Sequence, residues 1–183
     1  MYKKLRYHLA ALLAVLWLGG CGSLDPAHYA GTTPRLDIAE YFAGRTRAWG
    51  MVQDYRGEVR RRFTVDIDGR LEDDTLILDE RFRYADGATD RRRWTFERRG
   101  DGRWRGRADD VEGPVEARQV GHVFHMRYPL AVDVDGRAIT FQMDDWMYLQ
   151  PDGRLINRTA MRKFGLTLAE ITLVFERGAS TKE

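Results

Sequence analysis

Glu80 and Asp145 are the side chains best placed to do chemistry inside this protein. Each is a lone carboxylate within an alternating apolar row: Leu76, Leu78, Glu80, Phe82, Tyr84, and Ile139, Phe141, Met143, Asp145, Met147, Leu149. A carboxylate on a dry face is costly unless it is paired or reaches water. The two therefore mark a polar spot in a ligand cavity, with Trp94, Tyr128 and Asn157 as further candidates for its walls. The competing reading is a filled core with internal hydrogen bonds, or a barrel mouth.

A second polar cluster lies in Phe141–Gly165, which folds back at Pro151-Asp152-Gly153. Pro-Asp-Gly favours a three-residue loop with glycine left-handed. Residues whose numbers sum to 304 then pair, setting Met147 opposite Asn157, Asp145 opposite Thr159, and Trp146 opposite Arg158. Asp144 falls diagonal to Arg158 and Arg162; a two-residue turn would put Asp145 there instead. One carboxylate between two guanidinium groups reads as a cross-strand ion pair, or as an anion or partner contact through Arg158 and Arg162. Adjacent aspartates on a strand point to opposite faces, so Asp144 and Asp145 form no acid–base dyad.

Other catalytic chemistry finds no footing. His122 and His125 are three apart, which on a strand places them on opposite faces, so no metal pair is expected. No Ser-His-Asp spacing, Gly-rich phosphate loop or nucleophile elbow occurs. An enzyme is not expected, nor a metal or cofactor.

The elements that must hold these residues are strands. Asp-Gly pairs at 68–69, 86–87, 101–102, 135–136 and 152–153 are hairpin signals at a pitch of 15 to 18 residues, or twice that. A further reversal is expected near Asp110–Gly113 or Gly121. Between the turns one face is dry and the other wet: Phe63, Val65, Ile67 against Arg62, Thr64, Asp66; Trp94 and Phe96 against Arg93, Thr95, Glu97; Phe124 to Val134 along the even numbers. Open sheets leave exposed edges, so the pattern predicts an all-β, antiparallel up-and-down barrel of about 8–10 strands. Pro34, Leu36, Ile38, Ala39, Tyr41 and Phe42 predict one short N-terminal helical turn, stopped by Gly44.

Residues 1–20 open with Lys3, Lys4 and Arg6, continue through the apolar run Leu9–Leu18 and end in Leu18-Gly19-Gly20-Cys21. That is a signal peptide whose end resembles a bacterial lipobox, an ordinary secretory signal or uncleaved anchor being the alternative. The resemblance implies an acylated Cys21, cleavage before it, and, with Gly22 following, the outer membrane facing the periplasm. Residues 21–33 are the lipid-attached tether, 34–178 the barrel and 179–183 a tail. The only cysteine is Cys21, so the domain has no disulfide. The whole chain carries +2 and its leader three cations, leaving the mature chain at −1. Its arginines are interleaved with carboxylates, which argues against nucleic acid and for cross-strand ion pairs on a solvated face.

Tyr41-Phe42-Ala43-Gly44, Ala48-Trp49-Gly50, Arg61-Arg62-Phe63, Glu80–Gly87, Asp144–Leu149 and Asn157-Arg158 with Met161, Lys163, Phe164 and Gly165 resemble a family of bacterial lipoproteins, domain of unknown function 3833. The resemblance implies a periplasm-facing lipoprotein with a lipocalin-like barrel and carries over no catalytic residue. The expected function is binding or carrying an apolar or amphipathic ligand in that barrel. Docking on an envelope protein through an arginine-rich outer face is the alternative.

Overall fold

A computed structural model describes residues 24–134 and 136–178. The leader, Cys21, Asp135 and the tail lie outside them. Ten antiparallel strands follow in chain order: β1 Gly44–Asp54, β2 Val59–Glu72, β3 Thr75–Tyr84, β4 Thr89–Arg98, β5 Arg103–Ala108, β6 Val115–Val120, β7 Val123–Val134, β8 Arg137–Leu149, β9 Leu155–Lys163 and β10 Leu166–Arg177. Each pairs with its sequence neighbours, and β10 closes on β1 from Thr46↔Arg177 to Asp54↔Ala169. Closure removes the free edges that a strand-rich chain would otherwise expose. Inward rows predicted from alternation form the core: Val65, Ile67, Leu76, Trp94, Phe96, Phe124, Met126 and Met143 are all buried.

The α-helix α1 (Ile38–Phe42) sits across one end of the cylinder. Asp37, at its N-cap, accepts from the backbone N–H of Ala39 at 2.9 Å, and Gln119 Oε1 accepts from that of Ile38 at 3.0 Å. These bonds satisfy donors a five-residue helix cannot satisfy itself. Tyr41 donates its hydroxyl to the carbonyl of Phe175, and Phe42 packs edge-on against the Phe175 ring. Ahead of the helix, the segment expected as tether carries a 3-10 turn, Pro26–Tyr29, whose Tyr29 ring packs against His122, Trp146 and Tyr148 on the outer wall.

The turn expectations divide. Gly87, Gly102, Gly136 and Gly153 all have positive φ in reversals, as Asp-Gly pairs should. Asp68-Gly69 does not turn: it lies inside β2, which reverses at Asp73-Asp74 instead. Gly69 is glycine for room. A Cβ there would stand 1.8 Å from the carbonyl oxygen of Phe42, so only glycine lets α1 lie this close. Gly69→Ala should cost about 2 kcal/mol by forcing helix and strand apart, read as a lower urea midpoint; an unchanged midpoint would refute the close approach. Reversals occur both at Asp109–Pro114 and at Gly121-His122, so the two places offered for one hidden turn each hold one.

The β9–β10 turn is Phe164-Gly165, with φ of 52° and 79°. Both central residues of such a tight hairpin turn require positive φ, which suits Asn-Gly and strains a bulky residue. The Phe164 side chain is 93% exposed and contributes no core. Phe164→Asn should therefore raise stability by about 1 kcal/mol, or about 2–4 °C in Tm for a domain of this size; an unchanged or lower Tm would mean the ring offsets its strain elsewhere.

Candidate functional site

The β8–β9 register is the three-residue one: Met147↔Asn157, Asp145↔Thr159, Trp146↔Arg158 and Asp144↔Ala160. Asp145, Asn157 and Thr159 consequently point inward and are buried. Asn157 donates its side-chain amide to Asp145 Oδ1 and to the carbonyl of Trp146, and Thr159 donates to Asn157 Oδ1 at 3.2 Å. The Tyr128 hydroxyl approaches Asp145 Oδ2 at 3.4 Å from β7. Asp145 is thus fully partnered.

Glu80 faces the same interior from β3, in the row of Leu76, Leu78 and Phe82. Together Glu80, Trp94, Tyr128, Asp145 and Asn157 line one cavity of about 110 Å³, with Phe63, Phe82 and Met126 among its apolar walls. All five side chains singled out for a cavity meet there. The residue missing from that expectation is Arg92, directly across the β3–β4 ladder from Glu80. It stands two residues before Trp94 and so shares its face, a signal that alternation alone supplies. Arg92 reaches Asp110 in the β5–β6 connection with Nε at 2.9 Å.

Electrostatics sets this spot apart. Burial pushes the Glu80 carboxyl up to about 7; Arg92 pulls it down, while Asp110 and Asp145 add to the rise. Burial pushes Asp145 up to about 6 against the hydrogen bonds it accepts and the nearby Arg92. The Tyr128 hydroxyl, buried beside Asp145, lies well above the ordinary tyrosine range. Burial works against the Arg92 charge but is outweighed by Glu80, Tyr128 and Asp110, so the guanidinium is held more firmly. The site offers carboxylate, guanidinium, phenol and amide to a ligand. Among the described residues no group of three or more His, Cys, Asp or Glu could hold a metal ion.

The outer cluster is organised differently from the expected arginine–aspartate–arginine sandwich. Arg158 pairs with Glu170 on β10 at 2.9 Å and leaves Asp144 alone. Arg162 does reach Asp144, at 3.4 Å, but the nearer partners come from β7: Arg127 Nε at 3.1 Å and His125 Nε2 at 2.8 Å. Trp146 Nε1 donates to the same carboxylate at 3.0 Å. Burial alone would raise Asp144, yet bonds from His125 and Arg127 outweigh it and hold the carboxyl below its usual range. His125 is itself pushed down by burial against the pull of Asp144, so at neutral pH it acts as a neutral N–H donor rather than an ion-pair partner. Its ring lies 3.9 Å from that of Trp146. His122 belongs to the turn before β7, so the two histidines do not point apart: both flank the outer aromatic group of Tyr29, Trp146 and Tyr148. This cluster welds the N-terminal segment to the barrel wall. Arg158 and Arg162 each reach a carboxylate while their side chains stay 62% and 45% exposed.

A closed antiparallel β-barrel of lipocalin-like form, capped by a short helix and carrying one polar spot inside, is the class these features define. The chain belongs to the family described as "Protein of unknown function (DUF3833)", whose model matches residues 15–177. The fold is similar to that of an S-type phycobiliprotein lyase, CPES, from Guillardia theta. That match has a TM-score of 0.57 at 8% identity and covers 78% of this chain and 92% of the lyase. A de novo designed fluorescence-activating β-barrel superposes more loosely, with a TM-score of 0.41 at 12% identity over 78% of this chain and 99% of the design. At such identities the likeness is one of fold alone. No curated protein matches the chain.

Proposed function

We propose that this protein is a lipid-anchored, periplasm-facing lipoprotein of the outer membrane whose barrel binds one small ligand. The observation that carries the binding is the interior cavity, in which Glu80, Arg92, Tyr128, Asp145, Asn157 and Thr159 interrupt a largely apolar wall. Polar groups placed in a dry cylinder cost stability, and a few convergent polar groups on apolar walls are the usual composition of a ligand site. Size bounds the occupant. Drug-sized ligands take roughly 300–1,000 Å³, whereas an apolar cavity of about 150 Å³ accepts benzene. An interior of about 110 Å³ suits a compact molecule and excludes a long acyl chain.

The address rests on Leu18-Gly19-Gly20-Cys21-Gly22 after an apolar run. One acyl chain holds a protein only marginally, and the several chains of a lipoprotein cysteine anchor it stably. Metabolic labelling with a palmitate analogue should mark the wild-type chain and spare Cys21→Ser. For the ligand, native mass spectrometry of protein purified from the envelope should show an adduct that denaturation releases. A bare mass in every preparation, with no small molecule raising Tm, would overturn the reading.

A further inference from the structure

Glu80 is the anomaly of the interior. Asp145 accepts from Asn157 and Tyr128 and Arg92 is bonded to Asp110, but among the described residues the half-buried Glu80 carboxylate has no hydrogen bond or ion pair to the protein, and it also borders an outer groove. It looks into the cavity from β3. Around it stand Arg92 on β4, Asp110 in the β5–β6 connection, Tyr128 on β7 and Asp145 on β8; β9 contributes the neutral Asn157 and Thr159, and β2 and β10 only apolar side chains. Three carboxylates therefore face one guanidinium. Aromatic rings complete the surroundings: Trp94 meets Tyr128 edge-on at 5.3 Å, and the Phe82 ring lies 5.7 Å from the Arg92 guanidinium carbon.

Taking the barrel to be a ligand-binding one, we propose that its occupant is a small organic ammonium, with Glu80 as counter-ion and the faces of Trp94, Tyr128 and Phe82 as walls. An anion entering here would meet Glu80 and Asp145, with the single guanidinium already engaged. A neutral apolar molecule would leave the Glu80 carboxylate without a partner in a drier pocket, which is costly. An ammonium fills the unused acceptor and lies against aromatic faces that attract cations. At about 110 Å³ the cavity is smaller than the roughly 150 Å³ that accepts benzene, so the compact body is limited to about four or five heavy atoms. A way in is present at the side. β4 pairs with β5 only from Arg98↔Trp104 to Trp94↔Ala108, which leaves Asp90–Arg93 unpaired on that edge. An outer groove there, lined by Asp68, Asp79 and Asp109 together with Arg81, Arg91 and Arg93, shares Glu80 and Arg92 with the interior.

The test is a charge series on one shape, run with the full-length protein in detergent at pH 8: isopropylamine, which is protonated there, 2-propanol and isobutyrate. The amine should bind, by calorimetry and by a rise in Tm, at least about tenfold more tightly than either isostere. Glu80→Gln should erase that preference while its melting curve and near-UV spectrum stay those of a folded barrel. Amine affinity should also fall as pH is lowered from 8 towards 5 and Glu80 takes up a proton. Equal affinity for 2-propanol, or an amine that binds Glu80→Gln as well as wild type, would overturn the ammonium assignment and leave a ligand-binding barrel standing. Failure of all three probes, with none raising Tm, would count against both.

Discussion

Asp144→Ala should destabilise the barrel by about 3 kcal/mol. The carboxylate is 8% exposed and collects donors from two strands besides its own: His125 and Arg127 of β7 and Arg162 of β9, with Trp146 from β8 itself. Removing it affects these partners unequally. Arg127 and Arg162 have side chains nearly half exposed and turn to water. Trp146 Nε1 and His125 Nε2 are covered and have no other acceptor nearby, so most of the loss comes from those two stranded donors. Tyr29 rests on the Trp146 ring, so the N-terminal segment loosens as well. A drop in Tm of about 6–12 °C follows for a domain of this size, and Asp144→Asn, which keeps one acceptor, should lose less than half of that. If Asp144→Ala melts within about 2 °C of wild type, the outer cluster is decoration. The pH sign is that of a depressed carboxyl: its contribution is present above the unfolded-state value of 3.8 and is lost as pH falls through the lower folded-state value.

The difference between Asp144 and its expected partners shows where sequence reasoning stops. Pro151-Asp152-Gly153 dictates the β8–β9 register, and every pair predicted from it is found, because a tight turn leaves no slack. The same arithmetic on the β7–β8 hairpin, where Val134 pairs with Arg137 across two residues, would have put Arg127 opposite Asp144. A strand inside a barrel has two neighbours, and the β8–β9 turn fixes only one of them. Arg92 was equally legible, since it alternates into line with Trp94 and Phe96, but a run of three arginines at 91–93 reads as solvent-facing by composition. Gly69 was not legible. Its reason is the carbonyl of Phe42, brought across the barrel mouth by packing that no local pattern encodes. His122 and His125 failed for a smaller reason: a strand that begins one residue later removes His122 from the alternation.

Glu80→Gln should make the protein more stable above neutral pH, by about 3 kcal/mol at pH 8. The folded-state carboxyl lies at about 7 against 4.5 when unfolded. Between those values the folded chain holds a proton that the unfolded chain has released. Wild-type stability therefore falls as pH rises from 4.5 through 7, and below 4.5 the group is neutral in both states. Glutamine cannot ionise, so its curve lacks that fall and keeps only the smaller one from Asp145, between 3.8 and about 6. Because the two carboxyls and Arg92 share one pocket, they titrate together, and the comparison belongs to the pair of curves rather than to a single inflection. Urea midpoints measured at pH 4 and pH 8 read the effect directly: near-equal for the two proteins at pH 4, and clearly higher for Glu80→Gln at pH 8. Parallel curves across that range would place the carboxylate in water and remove the case for a dry interior. A saturating ammonium should produce a related change in wild type by a different route, raising its pH 8 midpoint while leaving that of Glu80→Gln in place. A charge that weakens the empty barrel and is neutralised by the occupant is what a binding site looks like in stability data, whereas a residue serving only the fold would gain nothing from the amine.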